Sequence, residues 1–513
     1  MSDANFSLLA AQPEATWGTT PSPATALKKI RLTSESLQHE KETIMSEEVR
    51  SDRQISDLAQ VGAAATGSFD FELSHTDFQT WLQAALFTDI VTVAVTASLA
   101  LNHTTQVITG TAGDFDDVIA GCFVKIAGAA NAGNNGPKLV VAKATDGSTI
   151  TLAAGSLTAT ETTAVTISGK HAKNGSTRKS FSMERRIEDT AGAHHFQTYK
   201  GMMVDTLSLN IESKAIVTGS VGLIGRYGEA PDESLLDSAA AKATGTLTFT
   251  TNPHNNDTVT IGGRTYTFKS SLGATAGEIL IGASASASLD NLIAAINNAA
   301  GGGTTYAAAT TVHATVTAAA GAGDTMVVTA KANGTAGNAI GTTETFTAAG
   351  NVFGASTLSG GVNPQAYVEA STDPVLNGTA NVGQLRKDGV AMGEHFKSVS
   401  LEIANNLRGK DAIGSLGNFD IGVGSCEVTG SFQAYFRDNT LLADFIAHTY
   451  TSLSLTLTDG NGAVMGLHLP RLNFSTGNAN ISGKDSDVMQ PLDFTAILSE
   501  TYGGTIFLSW LDA

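Results

Sequence analysis

Residues 65–87 read ATGSFDFELSHTDFQTWLQAALF, and residues 428–448 read VTGSFQAYFRDNTLLADFIAH. In the first stretch Phe69, Phe71 and Leu73 alternate with Ser68, Asp70 and Glu72, the period-two pattern of a strand with one buried face. Ser74 and Thr76 stand where they can cap a helix, and Phe78, Trp81, Leu82, Ala85 and Leu86 then share one helical stripe. In the second stretch Phe432, Ala434 and Phe436 alternate with Gln433 and Tyr435, Asp438 or Asn439 can cap, and Leu441, Leu442, Phe445 and Ile446 form the stripe. Aligned without a gap, Phe69 answers to Phe432, Leu73 to Phe436, Phe78 to Leu441 and Leu82 to Phe445. A duplicated strand-helix unit is expected.

The flanks repeat too. A strand at Lys29–Leu37 and a charged loop precede the first unit; a strand at Phe396–Ile403 and a Gly-rich loop precede the second. Alternating strands follow each helix, at Phe181–Arg185 and Val204–Glu212, and at Ser452–Thr458, Leu467–Phe474 and Leu492–Ile497. The expected organisation is an N-terminal arm (1–26), a first unit (27–88 and 172–235) interrupted by a small β domain (89–171), an accessory β-sandwich-like domain (236–364), and a second unit (365–513). Within 236–364, Gly262-Gly263 reads as a hairpin turn and Ala287–Ala299 as the one clear helix. Gln38–Asp57 mixes acidic and basic residues and reads as a solvated or partner-facing loop more readily than as a helical fragment.

Length and charge bound the function. At 513 residues the chain exceeds a single core. Charged residues make up 15%, aromatics 6%, and glycines number 54, which favours many short strands and turns. A net charge of −18 argues against strong binding to nucleic acid or anionic membrane, because phosphate affinity needs an excess of Lys and Arg. Cys122 and Cys426 fall in different expected domains, so a disulfide framework is not expected. The N-terminus lacks a secretion-signal pattern, and no stretch approaches the ~20 apolar residues of a membrane span.

The chemistry-bearing motifs are few. His194-His195 has no carboxylate or cysteine at ligand spacing and reads as an exposed turn. Asp459-Gly-Asn-Gly462 hints at a calcium loop but sits between two alternating strands, as a hairpin turn would. His75 with Asp77 falls at a helix start, where capping accounts for it. There is no phosphate-binding glycine loop and no nucleophile with its base, so no enzyme activity, metal or cofactor is expected. Thr-Gly-Ser recurs at Thr66, Thr218 and Thr429 inside strands.

One face of the strands is more informative. Thr206, Ser208, Asn210 and Glu212 oppose Leu207, Leu209 and Ile211. Ser398, Ser400 and Glu402 oppose Val399, Leu401 and Ile403; Ser452, Ser454, Thr456 and Thr458 oppose Leu453, Leu455 and Leu457. Such strands form a sheet with one wetted, smooth side, which an ordinary half-exposed sheet also has.

Four long runs carry a family resemblance: residues 26–87, beginning ALKKIRLTSESLQHEKETIMSEEVRSD; MMVDTLSLNIESKAIVTGSVGLIG; NNLRGKDAIGSLGNFDIGVGSCEVTGSFQAYF; and LHLPRLNFSTGNANISGKDSDVMQPLDFTAIL. In this order they resemble the tail tube (major tail) proteins of long, non-contractile-tailed bacteriophages. The second insertion resembles accessory domains grafted onto phage tail proteins. The resemblance implies a mainly β fold with few helices: two tandem β-sandwich, barrel-forming units, each with a flanking helix, plus the two insertions.

It further implies a virion protein, made in the host cytoplasm, whose strands join those of its neighbours into a closed barrel. Two units per chain would let a homotrimer build a pseudo-six-fold ring, with a homohexamer as the alternative. The tape measure protein and tail terminator or tip proteins are implied partners; DNA passes without specific binding, and no membrane binding is expected. Thr206, Ser208, Asn210, Glu212, Ser398, Ser400, Glu402, Ser452, Ser454 and Thr456 become candidates to line the bore, with Ser68, Asp70 and Glu72 as weaker ones. Glu40, Glu42, Glu47, Glu48, Arg50, Asp52 and Arg53, with the N-terminal arm, become candidates for contact with the next ring. A secreted or surface-layer β-rich adhesin is the rival reading, and a carbohydrate-active enzyme ranks last because no carboxylate pair is recognisable.

Overall fold

The computed structural model describes residues 3–21, 27–383, 385–393, 396–481 and 483–513. Two compact units emerge, one comprising Met1–Thr20, Lys28–Asp232 and Val368–Ala513, the other Pro21–Leu27 and Glu233–Tyr367.

The larger unit contains one succession of elements twice. The first copy supplies β1 (Ser34–Glu35), β2 (Leu58–Glu72), α1 (Gln79–Ala85), β3 (Phe181–Glu188), β4 (His194–Glu212) and β5 (Thr218–Gly225). The second supplies β6 (Phe396–Ala404), β7 (Glu427–Tyr435), α2 (Thr440–Ile446), β8 (Thr451–Thr458), β9 (Val464–Phe474) and β10 (Met489–Ala496). Both pair antiparallel in the same order, β1–β2–β5–β4–β3 and β6–β7–β10–β9–β8.

The likeness reaches individual residues. Phe181 faces Met202 and Met183 faces Tyr199 across a bulge; Thr451 faces Leu472 and Leu453 faces Leu469 across a bulge in the same place. Since a bulge disrupts the ladder and bends the strand, its recurrence marks a shared backbone path. The β3–β4 and β8–β9 turns also match. Asp189 accepts from the amides of Ala191 and Ala193, and Asp459 from those of Asn461 and Ala463. Asp459-Gly-Asn-Gly462 is thus a hairpin turn closed by its own aspartate.

Strand and helix do not repeat in one register, which corrects the gap-free alignment. Phe69 faces Val221 on β5 as Phe432 faces Leu492 on β10. At the helix ends, however, Phe87 and His448 are the matching residues, both with left-handed φ, 49° and 53°. Their amides donate to Ala84 and Phe445 respectively. The loop before α2 is therefore two residues shorter than the one before α1, and Phe78 corresponds to Asn439, not Leu441. Neither helix has a side-chain cap at its N-cap residue, although Asp438 accepts from the Thr440 amide.

β4 and β9 each run from one sheet into the other, since β4 pairs first with β3 and then with β5, and β9 with β8 and then β10. This folds each copy into a sandwich. The second half of β4 also pairs with β6, from Thr206 opposite Ala404 to Glu212 opposite Ser398, which joins the two copies edge to edge. One apolar core runs through both, including Phe69, Phe71, Trp81, Phe432, Phe474, Phe494 and Trp510. Phe71 stacks on Phe78 at 4.0 Å, while Trp81 meets Phe69 edge-on at 4.8 Å.

Two segments differ from their sequence reading. Lys29–Leu37 is not one strand: Lys28–Lys29 pairs with Leu8–Pro13, and β1 pairs with β2. Gln38–Met45 is neither loop nor helix but a strand along β2, from Gln38 opposite Thr66 to Met45 opposite Leu58, in a hairpin fully exposed along that strand. With both faces in water there is no apolar alternation to reveal it. The N-terminal arm is held as a strand, Leu8–Pro13 lying along β3 with Leu9 and Ala10 buried. Residues 1–2 and 22–26 of that arm lie outside the described residues.

Residues 89–171 form six strands around a separate apolar cluster that includes Leu99, Phe115, Ile126 and Val165. Their last strand, Glu161–Lys173, pairs with Phe507–Leu511, which in turn pairs with β9. The wholly buried Phe507–Leu511 strand was not anticipated, although its apolar run IFLSWL was visible.

The smaller unit holds two four-stranded sheets and one α-helix, Ala285–Asn297. Ser284 caps the helix by accepting from the Ala287 amide, and Asn298 ends it at φ 53°. Leu289, Leu292 and Ile296 are buried in a core with Tyr266, Phe268 and Val328. Gly262 and Gly263, at φ 55° and 82°, make the two-residue turn between Thr258–Ile261 and Arg264–Lys269, a conformation that needs positive φ at both positions.

Candidate functional site

The β4–β6 junction sets the site, because it lines up the polar faces of both copies. Thr206, Ser208, Asn210 and Glu212 stand opposite Ala404, Glu402, Ser400 and Ser398. On the first-copy side the face continues through Thr218 and Ser220 of β5 to Ser68, Asp70 and Glu72 of β2, and to Ser34 of β1. On the other side it continues through Thr429, Ser431 and Gln433 of β7 to Thr495, Asp493 and Pro491 of β10.

The chemistry of this face is one-sided. Its paired positions carry Asp70, Glu72, Glu212, Glu402, Glu427 and Asp493, and no Lys or Arg. Short hydroxyl side chains fill most of the rest; Ser400 bonds to Ser431 at 2.8 Å, and the Ser34 hydroxyl donates to the Asp70 carboxylate at 2.6 Å. The Ser34 and Ser220 hydroxyls hold the Asp70 carboxyl below its usual range. Asp70 is therefore ionised at neutral pH. Beneath the face, Leu209, Ile211, Val399 and Leu401 line a small apolar cavity together with Leu455, Leu457, Met465 and Leu467 of the second sheet.

Seven of the ten principal candidates thus share one face, and the weaker Ser68, Asp70 and Glu72 share it as well. Ser452, Ser454 and Thr456 do not, which corrects their grouping. They lie on β8 in the other sheet, whose leucines already face the core between the sheets. Ser454 is buried opposite His468, and the position opposite Thr456 is Gly466, against which the Phe123 ring packs. Thr429, Ser431, Asp493 and Thr495 were missed. Their alternation in EVTGSFQAY and PLDFTA was legible, but only the pairing places them on this face.

The other candidate sites resolve into structure. Asp77 does not cap α1; it is buried and takes Lys28 at 2.8 Å, Arg31 at 3.4 Å and the Ser371 hydroxyl at 2.7 Å. Burial alone would raise its pKa, but the Lys28 ammonium and the Ser371 bonds outweigh it and hold the carboxyl below its usual range. His75 is buried against the Val464 carbonyl. His194 and His195 begin a strand instead of a turn, and carboxylates do lie near them, Glu188 and Asp189 at 3.4 Å each. Among the described residues no cluster of three or more His, Cys, Asp or Glu side chains could hold a metal ion. Both cysteines are free, and burial pushes the Cys122 thiol up to about 12.

Glu40, Glu42, Glu47, Glu48, Arg50, Asp52 and Arg53 all lie on the projecting hairpin and its tip, all exposed. Arg50 chelates Asp52 with bonds of 3.0 and 2.8 Å. Apolar side chains stand between these charges. Ile44, Met45, Val49, Ile55 and Leu58 are each more than half exposed, on a two-stranded element that has little independent stability in water.

No helix among the described residues is long and apolar enough to cross a membrane. A comparison with curated proteins finds no match. The family described as phage tail tube protein matches twice, over residues 5–335 and 276–496, and so takes in both copies of the repeated unit. Members of such a family are structural and assemble into rings with other tail proteins. The chain belongs to the phage tail tube protein family and is a structural component of the virion.

Proposed function

We propose that three chains form each ring of the tail tube of a long, non-contractile tail, every chain supplying two wall segments, and that DNA leaves through a bore lined by the shared polar face. The β4–β6 junction carries this reading. It sets two copies side by side in one sheet with a single polar face, and the same junction repeated between chains closes a ring without free edges. A hexamer of whole chains would require one copy to leave the wall, against a sheet that already joins both.

Six carboxylates and no cation per chain on that face repel phosphate and offer it no foothold. The double variant Glu212→Lys with Glu402→Lys should still form tubes, because both residues are exposed, but should deliver DNA poorly. Unchanged delivery would remove the bore assignment.

The exposed hairpin, with its apolar side chains and charged tip, suits contact with the next ring. A chain lacking residues 40–52 should give rings that fail to stack; normal tubes would contradict this. The smaller unit supplies no strand to the wall and is assigned as an accessory domain. The tape measure protein in the bore and terminator or tip proteins at the tube ends complete the set of partners.

A further inference from the structure

The duplication shows where the second copy is incomplete. In the first copy, the half of β4 from Thr206 to Glu212 is flanked by β5 on one side and β6 on the other. The residues that follow β9 occupy the equivalent place but form no strand. Two backbone hydrogen bonds tie them to β10. The Ser475 amide donates to the Asp493 carbonyl at 2.8 Å, and the Asn480 amide to the Met489 carbonyl at 2.9 Å. The second contact is the counterpart of Asn210 opposite Thr218, so the register of a strand is already set. In between, the Gly477 carbonyl accepts from the Gln490 side chain at 2.7 Å, and Ile481 is 83% exposed. Thr476, Asn478 and Asn480 repeat the polar alternation of Thr206, Ser208 and Asn210.

The complementary edge is unfinished as well. β1 matches β6, and Leu37 matches Leu401, which pairs with Leu209 in the junction. Leu37 has no such strand beside it. Its amide donates to the Glu35 carboxylate at 3.0 Å, and its carbonyl accepts from Arg185 at 2.6 Å and from the Tyr199 hydroxyl at 3.1 Å. In the second copy the positions of Arg185 and Tyr199 are Leu455 and Leu469. Polar side chains therefore occur where an edge strand's backbone would otherwise be left unpaired.

We infer that residues 475–481 become a strand by pairing with residues 35–41 of a second copy of this chain. The register is that of the β4–β6 junction, with Asn480 opposite Ser36, Asn478 opposite Gln38 and Thr476 opposite Glu40. Folding of this strand is thereby coupled to ring closure. In the free chain one partner is coil and the other edge is occupied by Arg185, Tyr199 and Glu35, which keeps free chains from pairing at random. The inference rests on the ring reading above and adds which segments close the ring, and how.

Cysteine cross-linking tests it. Asn480→Cys with Ser36→Cys, in a chain also carrying Cys426→Ser, is assembled, oxidised and run without reductant; rings are counted by electron microscopy in the same sample. Asn210→Cys with Ser400→Cys, at the internal junction, is the positive control and links within one chain. The expected result is a covalent series ending at a closed ring, while Thr476→Cys with Ser36→Cys, out of register, stays monomeric. Rings without cross-linking by the N480C/S36C chain would overturn the inference and leave the ring reading standing. No rings from the unmodified chain would overturn both. Hydrogen exchange on the unmodified protein supplies a second readout. The amides of Gly477, Ala479 and Ile481 should exchange freely in the monomer and become protected on assembly, and continued rapid exchange in rings would also overturn the inference.

Discussion

In the first copy α1 buries Trp81, Leu82, Ala84 and Ala85; in the second, α2 buries none of its residues and leaves Ile446 73% exposed. The difference lies in what the next copy lays over each helix. Asn405, just past β6, bonds to the Ala85 carbonyl at 3.0 Å, and Leu407 and Ile421 close over Phe87 and Met203. Nothing equivalent reaches α2 among the described residues. The second copy is what the first would look like without its neighbour, and in the proposed ring its bare surface is where the next chain would dock.

Acid should separate the copies most strongly. Burial pushes His468, opposite Ser454 in the second copy, down to about 4, and His171, beside the Phe123 carbonyl, also to about 4. The first copy has Thr198 at the place of His468. A histidine kept neutral in the folded state stabilises above its unfolded pKa of about 6.5, and that stability is lost as pH falls towards the folded value. Stability should therefore drop between about pH 6.5 and 4. Hydrogen exchange should show β8, β9 and Phe507–Leu511 opening before β3; equal opening of both copies would break the comparison.

Truncating the helices comes next. Trp81→Ala, which removes a ring packed on Phe69 and Phe181, should cost about 3–5 kcal/mol in thermal or denaturant unfolding. Leu442→Ala, at the matching position of the open helix, should cost under about 1 kcal/mol in the monomer yet reduce ring formation. Similar costs would mean that α2 is as well packed as α1.

The loops before the helices should differ least. Asp77→Asn removes the partner of Lys28 and Arg31 and should cost roughly 1–2 kcal/mol, the Lys28 pair being discounted for its exposure. With the Asp77 pKa depressed, that contribution is present above the ordinary carboxylate range and is lost as pH falls below it. Asp438→Ala, at the second-copy counterpart, should cost about 0.5 kcal/mol, the loss of one exposed bond from the Thr440 amide.

Much of this was legible because a strand with one buried face and a short amphipathic helix both leave a periodic trace. The Phe69/Phe71 and Phe432/Ala434 alternations located both copies, and the Thr206–Glu212 and Ser398–Glu402 alternations located the polar face. What stayed hidden lacks such a trace. Gln38–Met45 has no buried face, so its strand follows only from the length of β2. The pattern of Ser454 and Thr456 equals that of Ser400 and Glu402, and period two cannot tell a bore from an outer sheet covered by another segment. The two-residue shift before α2 was invisible because the leucines of its stripe also fit the unshifted frame.

The most direct test is electron microscopy of assembled tubes with rotational symmetry analysed ring by ring. Three-fold rings with six near-equivalent wall segments are the predicted result. True six-fold rings of whole chains, or walls built from only one of the two copies, would contradict it.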